Sequence, residues 1–461
     1  MRSAVCVVLS LFAGLAWSAD ITLPDYERVE LENGVVLLLS EKHDVPLIGL
    51  RAVVRGGAVT DPAAKAGLTE LLATVMQKGA GDRSAAEFAA AVAGVGGRLS
   101  ISSDVEAIAV SAEFLSRDTE LMIELVADVL LRPSLSAAEF VKEQERSIGL
   151  IRAAKDSDPN DLLPYYANGF LFGDHAYGSP GIGSEASLAE IEHADLIEHY
   201  ANNFGGDRLI VAVVGDFDLA MLKARLSRVF GDWAPAAGEL VSVAAAETAP
   251  GPRVLLVDKP GATQTYFWFG DQGVALDYPQ RAELNLANTV FGDRFTSMLI
   301  TELRVNEGLT YSARSTIDRR SQPGSVMIKS FTETGTTVEA IDLAISLLGR
   351  LHESGLDDAM IASARNYIMG QFPPSLETGS SVASMLAFLE LHGLDRGYID
   401  EYGAMLTAAT RDGIAKTIAE VYPDQNRLVF TIIGDADVIR DDIAKYGPVT
   451  EMSITEPRFR P

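Results

Sequence analysis

Residues 208–218 read RLIVAVVGDFD and residues 427–437 read RLVFTIIGDAD. Arg, Leu, Gly, Asp and Asp fall in the same places, around an apolar run of strand length that ends at Gly-Asp. Each copy closes a similar succession of strands and helices, so the economical reading is an internal duplication, with a period too long for a short-repeat solenoid. The fold class that follows is α+β in two homologous halves.

The first half begins with an alternating strand pair over Glu27–Ser40 that turns at Asn33-Gly34, followed by a strand at Leu47–Val54. Helical spacing covers Ala64–Gln77, Ala85–Val95, Thr119–Leu131 and Ala137–Lys155, with strands at Arg98–Ser102 and Glu106–Phe114 between the second and third. The stretch holding Tyr165, Tyr166 and Tyr177 reads as irregular. Residues 235–252, rich in Ala, Pro and small polar residues, are the candidate linker. Beyond them come strands at Arg253–Val257 and Thr265–Gly270, then helices at Gln280–Phe291, Val338–Ser354, Asp357–Gln371 and Val382–His392. The organisation expected is a leader at 1–19, halves at 20–234 and 253–461, and the linker between them.

Met1–Ala19 has one Arg, an apolar run and small residues at its end, the layout of a secretory signal cleaved near Ala19 or Asp20. A periplasmic or secreted protein is expected, with no membrane span after the signal is removed. The one cysteine, Cys6, lies in that leader, so disulfides, thiolate catalysis and Cys-ligated zinc are excluded from the mature chain. With 64 acidic and 38 basic residues the formal charge is −26, which disfavours nucleic acid as a partner. The six histidines are scattered; His193 and His199, the nearest pair, are poorly spaced for one helix face and read as solvated.

Phe295–Ser312, FTSMLITELRVNEGLTYS, sets Arg304 near the end of a helix stopped by Gly308, and Tyr311 on a strand read at Thr310–Ser312. A guanidinium and a phenol so placed can act as two donors to one carbonyl oxygen or oxyanion. The plainer alternative is an Arg that suits the helix dipole and a strand Tyr in the core.

The order of elements, Gly67-Leu68 entering and Lys78-Gly79 leaving the helix AGLTELLATVMQKGAG, the strand GGRLSISSD, LITELRVNEGLTYS and QFPPSLET at 371–378 together resemble the pitrilysin or insulinase family of zinc peptidases. The resemblance runs over nearly the whole mature chain. It implies two halves, each a mostly antiparallel sheet with helices packed on one side. In active members this helix carries the inverted motif H-x-x-E-H, two zinc-binding histidines and the Glu that activates water. The matching positions here are Glu70, Ala73 and Thr74, and the third ligand aligns at Ile151 or Arg152. Neither of the latter binds zinc, so no metal is expected on this chain. Substrate, by resemblance, would add as a strand along Arg98, Leu99, Ser100, Ile101 and Ser102, where active members have an Asn at the place of Ser100.

The family's second-half pair, an Arg and a Tyr seven residues later, is present as Arg304 and Tyr311. The resemblance implies that these bind substrate and stabilise the oxyanion opposite the zinc of the other half. Short bacterial relatives and the mitochondrial processing peptidase divide the work between two homologous subunits. The resemblance therefore implies a heterodimer, in which this chain supplies Arg304 and Tyr311 in trans to zinc on a partner, with a peptide as substrate. The alternative is an inert peptide-binding or structural protein of the same fold.

Overall fold

The computed structural model describes residues 22–247 and 251–461; the leader expected at Met1–Ala19 lies outside the described residues. The principal strands are β1 (Glu27–Glu30), β2 (Val36–Glu41), β3 (Leu47–Arg55), β4 (Arg98–Ser103), β5 (Ala107–Leu115) and β6 (Leu209–Gly215), then β7 (Arg253–Asp258), β8 (Gln264–Gln272), β9 (Ala313–Asp318), β10 (Ser325–Glu333), β11 (Val429–Gly434) and β12 (Val449–Ser453). They form two six-stranded sheets, ordered β1-β2-β6-β3-β5-β4 and β9-β10-β8-β11-β7-β12.

Five strands of one sheet repeat in the other. β2-β6-β3-β5-β4 answers β7-β11-β8-β10-β9, with one parallel pair, β2/β6 or β7/β11, and antiparallel pairs elsewhere. The two sequence copies occupy the corresponding strands β6 and β11, which are buried along their whole length. Only the sixth strand differs. In the first sheet it is β1, a hairpin partner of β2; in the second it is the late strand β12, parallel to β7.

Four helices of the two halves position the clefts: α1 (Leu68–Met76), α2 (Ala137–Asp156), α3 (Leu163–Phe172) and α4 (Arg281–Asn288). Two more, α5 (Asp358–Gln371) and α6 (Gly379–Leu391), close the second half. Each sheet carries its own half's helices on one face. The opposite face receives a helix from the other half: α6 lies on β3 and β6, and α3 lies on β8 and β11. Val382, Ala383, Leu386 and Ala387 of α6 share a core with Val36, Leu38, Val53 and Val214. The close approach needs glycine, since a Cβ on Gly49 of β3 would stand 2.5 Å from the backbone nitrogen of Ser380.

Two expectations are corrected. The irregular stretch around Tyr165 and Tyr166 is helix α3. Thr310–Ser312 is not a strand, which begins at Ala313; the Ser312 backbone is held by the Thr310 hydroxyl, donating to its carbonyl at 3.0 Å and accepting from its N–H at 3.1 Å. Residues 235–247 form no helix or strand, but are tied to the first half through Ala237 and Gly238 N–H bonds to Ala201 and Asn202.

Candidate functional site

Helix α1 starts where Gly67 takes a left-handed φ of 95°, at a spot so crowded that a Cβ would lie 2.6 Å from Gly183. Its first turn is held by Asp61, which accepts from the N–H groups of Gly67 at 2.8 Å and Thr69 at 2.9 Å and from the Thr69 hydroxyl at 2.5 Å. His199 extends this chain. Its Nε2 lies 2.9 Å from the Thr69 oxygen and its Nδ1 lies 3.2 Å from the Asn203 amide nitrogen. Thr69 donates to Asp61, so the network assigns the proton to His199 Nε2, in a neutral ring. Burial pushes the Asp61 carboxyl up to about 7 against these donors, and pushes His199 down to about 4.

His199 is 6% exposed, which corrects the reading of it as a solvated histidine. Asp61 and Thr69 were not singled out in the sequence. The legible signal was an Asp shortly before a Gly-Leu helix start, the residue type that caps helices.

On the cleft side of α1, Glu70 accepts from the Ser103 hydroxyl of β4 at 2.5 Å. Ala73 is 1% exposed, and Thr74 is half-buried with no charge to offer a cation. Across from them α2 presents Ile151, 4% exposed, while Arg152 turns outward to Glu185 at 2.5 Å. Among the described residues no group of three or more His, Cys, Asp or Glu side chains is placed to hold a metal ion.

β4 is an edge strand, as addition of a peptide strand would require. Arg98, Leu99, Ser100, Ile101 and Ser102 pair on their inner side with Glu113, Ala112, Ser111, Val110 and Ala109. Yet the Ile101 carbonyl already accepts from the Gln77 amide of α1 at 3.0 Å. A peptide strand using that carbonyl must displace Gln77.

In the second half Arg304 lies on a helix wound wide over Ile300–Asn306, where the Glu307 N–H reaches the Glu302 carbonyl five residues back. Gly308 takes a φ of 67° and ends it, as the sequence suggested. The Arg304 guanidinium rests on the Phe295 ring, 5.1 Å from its centroid. Tyr311 is 78% exposed, with Phe295 at 66% and Val305 at 64%, so the phenol is no core residue. Glu333–Thr337 forms a tight helix entry, with the Thr332 and Thr336 hydroxyl oxygens 2.6 Å apart.

A duplicated α+β chain with this strand order, whose cleft helix offers one carboxylate and no histidine, has the frame of a metallopeptidase without its metal ligands. Comparison with known proteins agrees. The family model "Insulinase (Peptidase family M16)" matches residues 35–180 and "Peptidase M16 inactive domain" matches residues 190–368. The chain belongs to the M16, or insulinase, peptidase family, as a member that lacks the zinc motif.

Among its relatives, an uncharacterized zinc protease of Mycobacterium leprae is 27% identical over 381 residues, covering 80% of this chain and 83% of that protein. A protein of Helicobacter pylori named as a non-peptidase homolog is 25% identical over 384 residues, covering 82% and 85%. In fold, the chain is similar to a solved peptidase M16 inactive domain from Pseudomonas fluorescens, with a TM-score of 0.82 at 19% identity over 89% of this chain and 98% of that one. A solved protease from Helicobacter pylori gives 0.84 at 18% identity, covering 89% and 100%.

Proposed function

We propose that the chain is the zinc-free subunit of an exported two-chain peptidase, and that it supplies Arg304 and Tyr311 to a peptide held against the zinc of a homologous partner. The carrying observation is a contrast between the halves. The α1 cleft offers a hydrogen-bonded Glu70, a buried Ala73 and Ile151, whereas the second half leaves Phe295, Val305 and Tyr311 exposed beside Arg304. Large apolar groups grouped on one exposed segment favour a surface completed by another chain. Arg304 donates through a planar fork and Tyr311 through its phenol, so together they suit the oxygen on which charge develops as a peptide carbonyl is attacked.

In this reading the partner's metal supplies the activated water and this chain's residues bind and orient the peptide. The test is co-purification with a homologue that has an intact H-x-x-E-H. A stable one-to-one complex supports the pairing, and two chains that elute separately at micromolar concentration refute it.

A second reading, an inert structural protein of the same fold, is favoured by one contact. The Gln77 amide occupies the Ile101 carbonyl on the edge strand that would receive a peptide in the first half. A complex that neither captures nor cleaves peptide would select it.

A further inference from the structure

The second half has its own counterpart of the metal cleft. In the first half α1 follows the central strand β3 and lies on the edge strand β4, with Gln77 bonded to Ile101. In the second, α4 follows the central strand β8 and packs toward the edge strand β9, with Asn288 donating to the Ser315 carbonyl at 3.2 Å. The helix across the cleft is α2 in one half and α5 in the other. At this second position lies a cavity of about 410 Å³, within the range of small-ligand sites.

Its charge runs against the composition of the chain. Arg281 and Arg319 both line it. Arg281 is 7% exposed and stacks between Tyr398 and Tyr402, 3.7 Å and 4.9 Å from their ring centroids, while donating to the Tyr398 carbonyl. Arg319 reaches Asn285 Oδ1 with Nη2 at 3.4 Å, and its Nη1 is buried with no hydrogen-bond partner. Among the described residues no carboxylate pairs with either guanidinium. Two guanidinium groups lining one cavity with no carboxylate paired to them favour an anionic ligand there.

Two features choose among anions. Phe372, Phe388 and Tyr367 give the cavity an aromatic wall, which a bare inorganic ion leaves uncovered. Asp293, exposed at the rim, opposes a dianion more than a monoanion. We propose that this cavity binds a carboxylate carried on an apolar or aromatic body of one or two amino-acid residues in size, with the carboxylate-free guanidinium groups of Arg281 and Arg319 supplying the opposite charge. Two sources share that chemistry, the C-terminus of a short peptide and a free aromatic acid. The inference does not depend on the pairing proposed above.

The test is calorimetric titration of the full mature chain with phenylpropionate, with an acetylated Leu-Phe dipeptide acid, with its C-terminal amide and with inorganic phosphate. At least one acid binds, the amide binds at least about tenfold more weakly, and Arg319→Gln weakens the acid by about tenfold to a hundredfold. The tighter acid identifies the source. Arg319→Lys, which keeps the charge and guards against a folding artefact, retains part of the affinity. No binding of either acid at millimolar concentration, equal binding of acid and amide, displacement by phosphate at equal concentration, or wild-type affinity in Arg319→Gln would each overturn the assignment.

Discussion

Tyr311 keeps 78% of its surface in water, and its companion Arg304 rests on the ring of Phe295, itself 66% exposed. Neither side chain is needed to hold the fold, so substitution separates function from stability. In a reconstituted pair, Tyr311→Phe or Arg304→Ala is expected to lower turnover on the order of a hundredfold, with thermal unfolding unchanged. Unchanged steady-state rates would reduce both to surface residues. Buried Asp61 and His199 behave differently. His199, held down at about 4, takes up its proton in the unfolded chain first, so its contribution to stability is full above pH 6.5 and is lost as pH falls through that range to about 4. Asp61, raised to about 7, has the opposite sign and gains stability as pH falls from 7. A His199→Gln variant isolates the first effect. Relative to wild type it should gain about 3 kcal/mol between pH 7 and pH 4, read from urea unfolding; a pH-independent difference would mean that the ring is not held neutral. The spacing of His193 and His199 on the chain carries no hint of this, because Thr69 and Asp61, which face His199 Nε2, lie 130 and more residues away.

At the scale of elements, the exchange of helices between halves makes the molecule one body. Gly49 tests it directly: a methyl there meets the Ser380 backbone at 2.5 Å, so Gly49→Ala is expected to cost about 1–3 kcal/mol and to lower the unfolding temperature. An unaffected midpoint would mean that α6 slides freely on the sheet. Elements with one wet face were legible in sequence. Thr119–Leu131 is legible because its apolar stripe repeats against a polar face; β6 and β11, buried throughout, are legible instead because each apolar run stops at Gly-Asp. α3 was not legible. It is wedged between the halves, with Leu163, Tyr166, Ala167, Gly169, Leu171 and Phe172 buried, so it lacks the alternation that marks a helix against water. The false strand at Thr310–Ser312 had β-favouring residues, but a threonine hydroxyl satisfied the backbone that a ladder would have used. Of the candidate site, the missing metal ligands were readable residue by residue; the Gln77 contact and the Arg281–Arg319 cavity arise only when distant elements meet.

For the whole molecule, duplication supplies two clefts of one design, and this chain has kept different chemistry in each. The first lacks the ligands of its family's metal and the second is lined by Arg281 and Arg319, while Arg304 and Tyr311 stand apart from both on an exposed segment of the second half. A net charge of −26 adds a prediction about partnership. If the partner presents a basic surface, association slows as salt rises, since the long-range attraction is screened with a Debye length near 10 Å at about 0.1 M; association rates flat across ionic strength would remove electrostatic steering from the account. The most direct measurement is peptide hydrolysis by this chain, by a homologue with an intact H-x-x-E-H, and by the two mixed, each with and without a zinc chelator. The account predicts that this chain alone is inert, that the mixture cleaves and is stopped by the chelator, and that Tyr311→Phe in this chain lowers the mixture's rate. Chelator-sensitive hydrolysis by this chain alone, or a mixture no faster than the partner by itself, would contradict it.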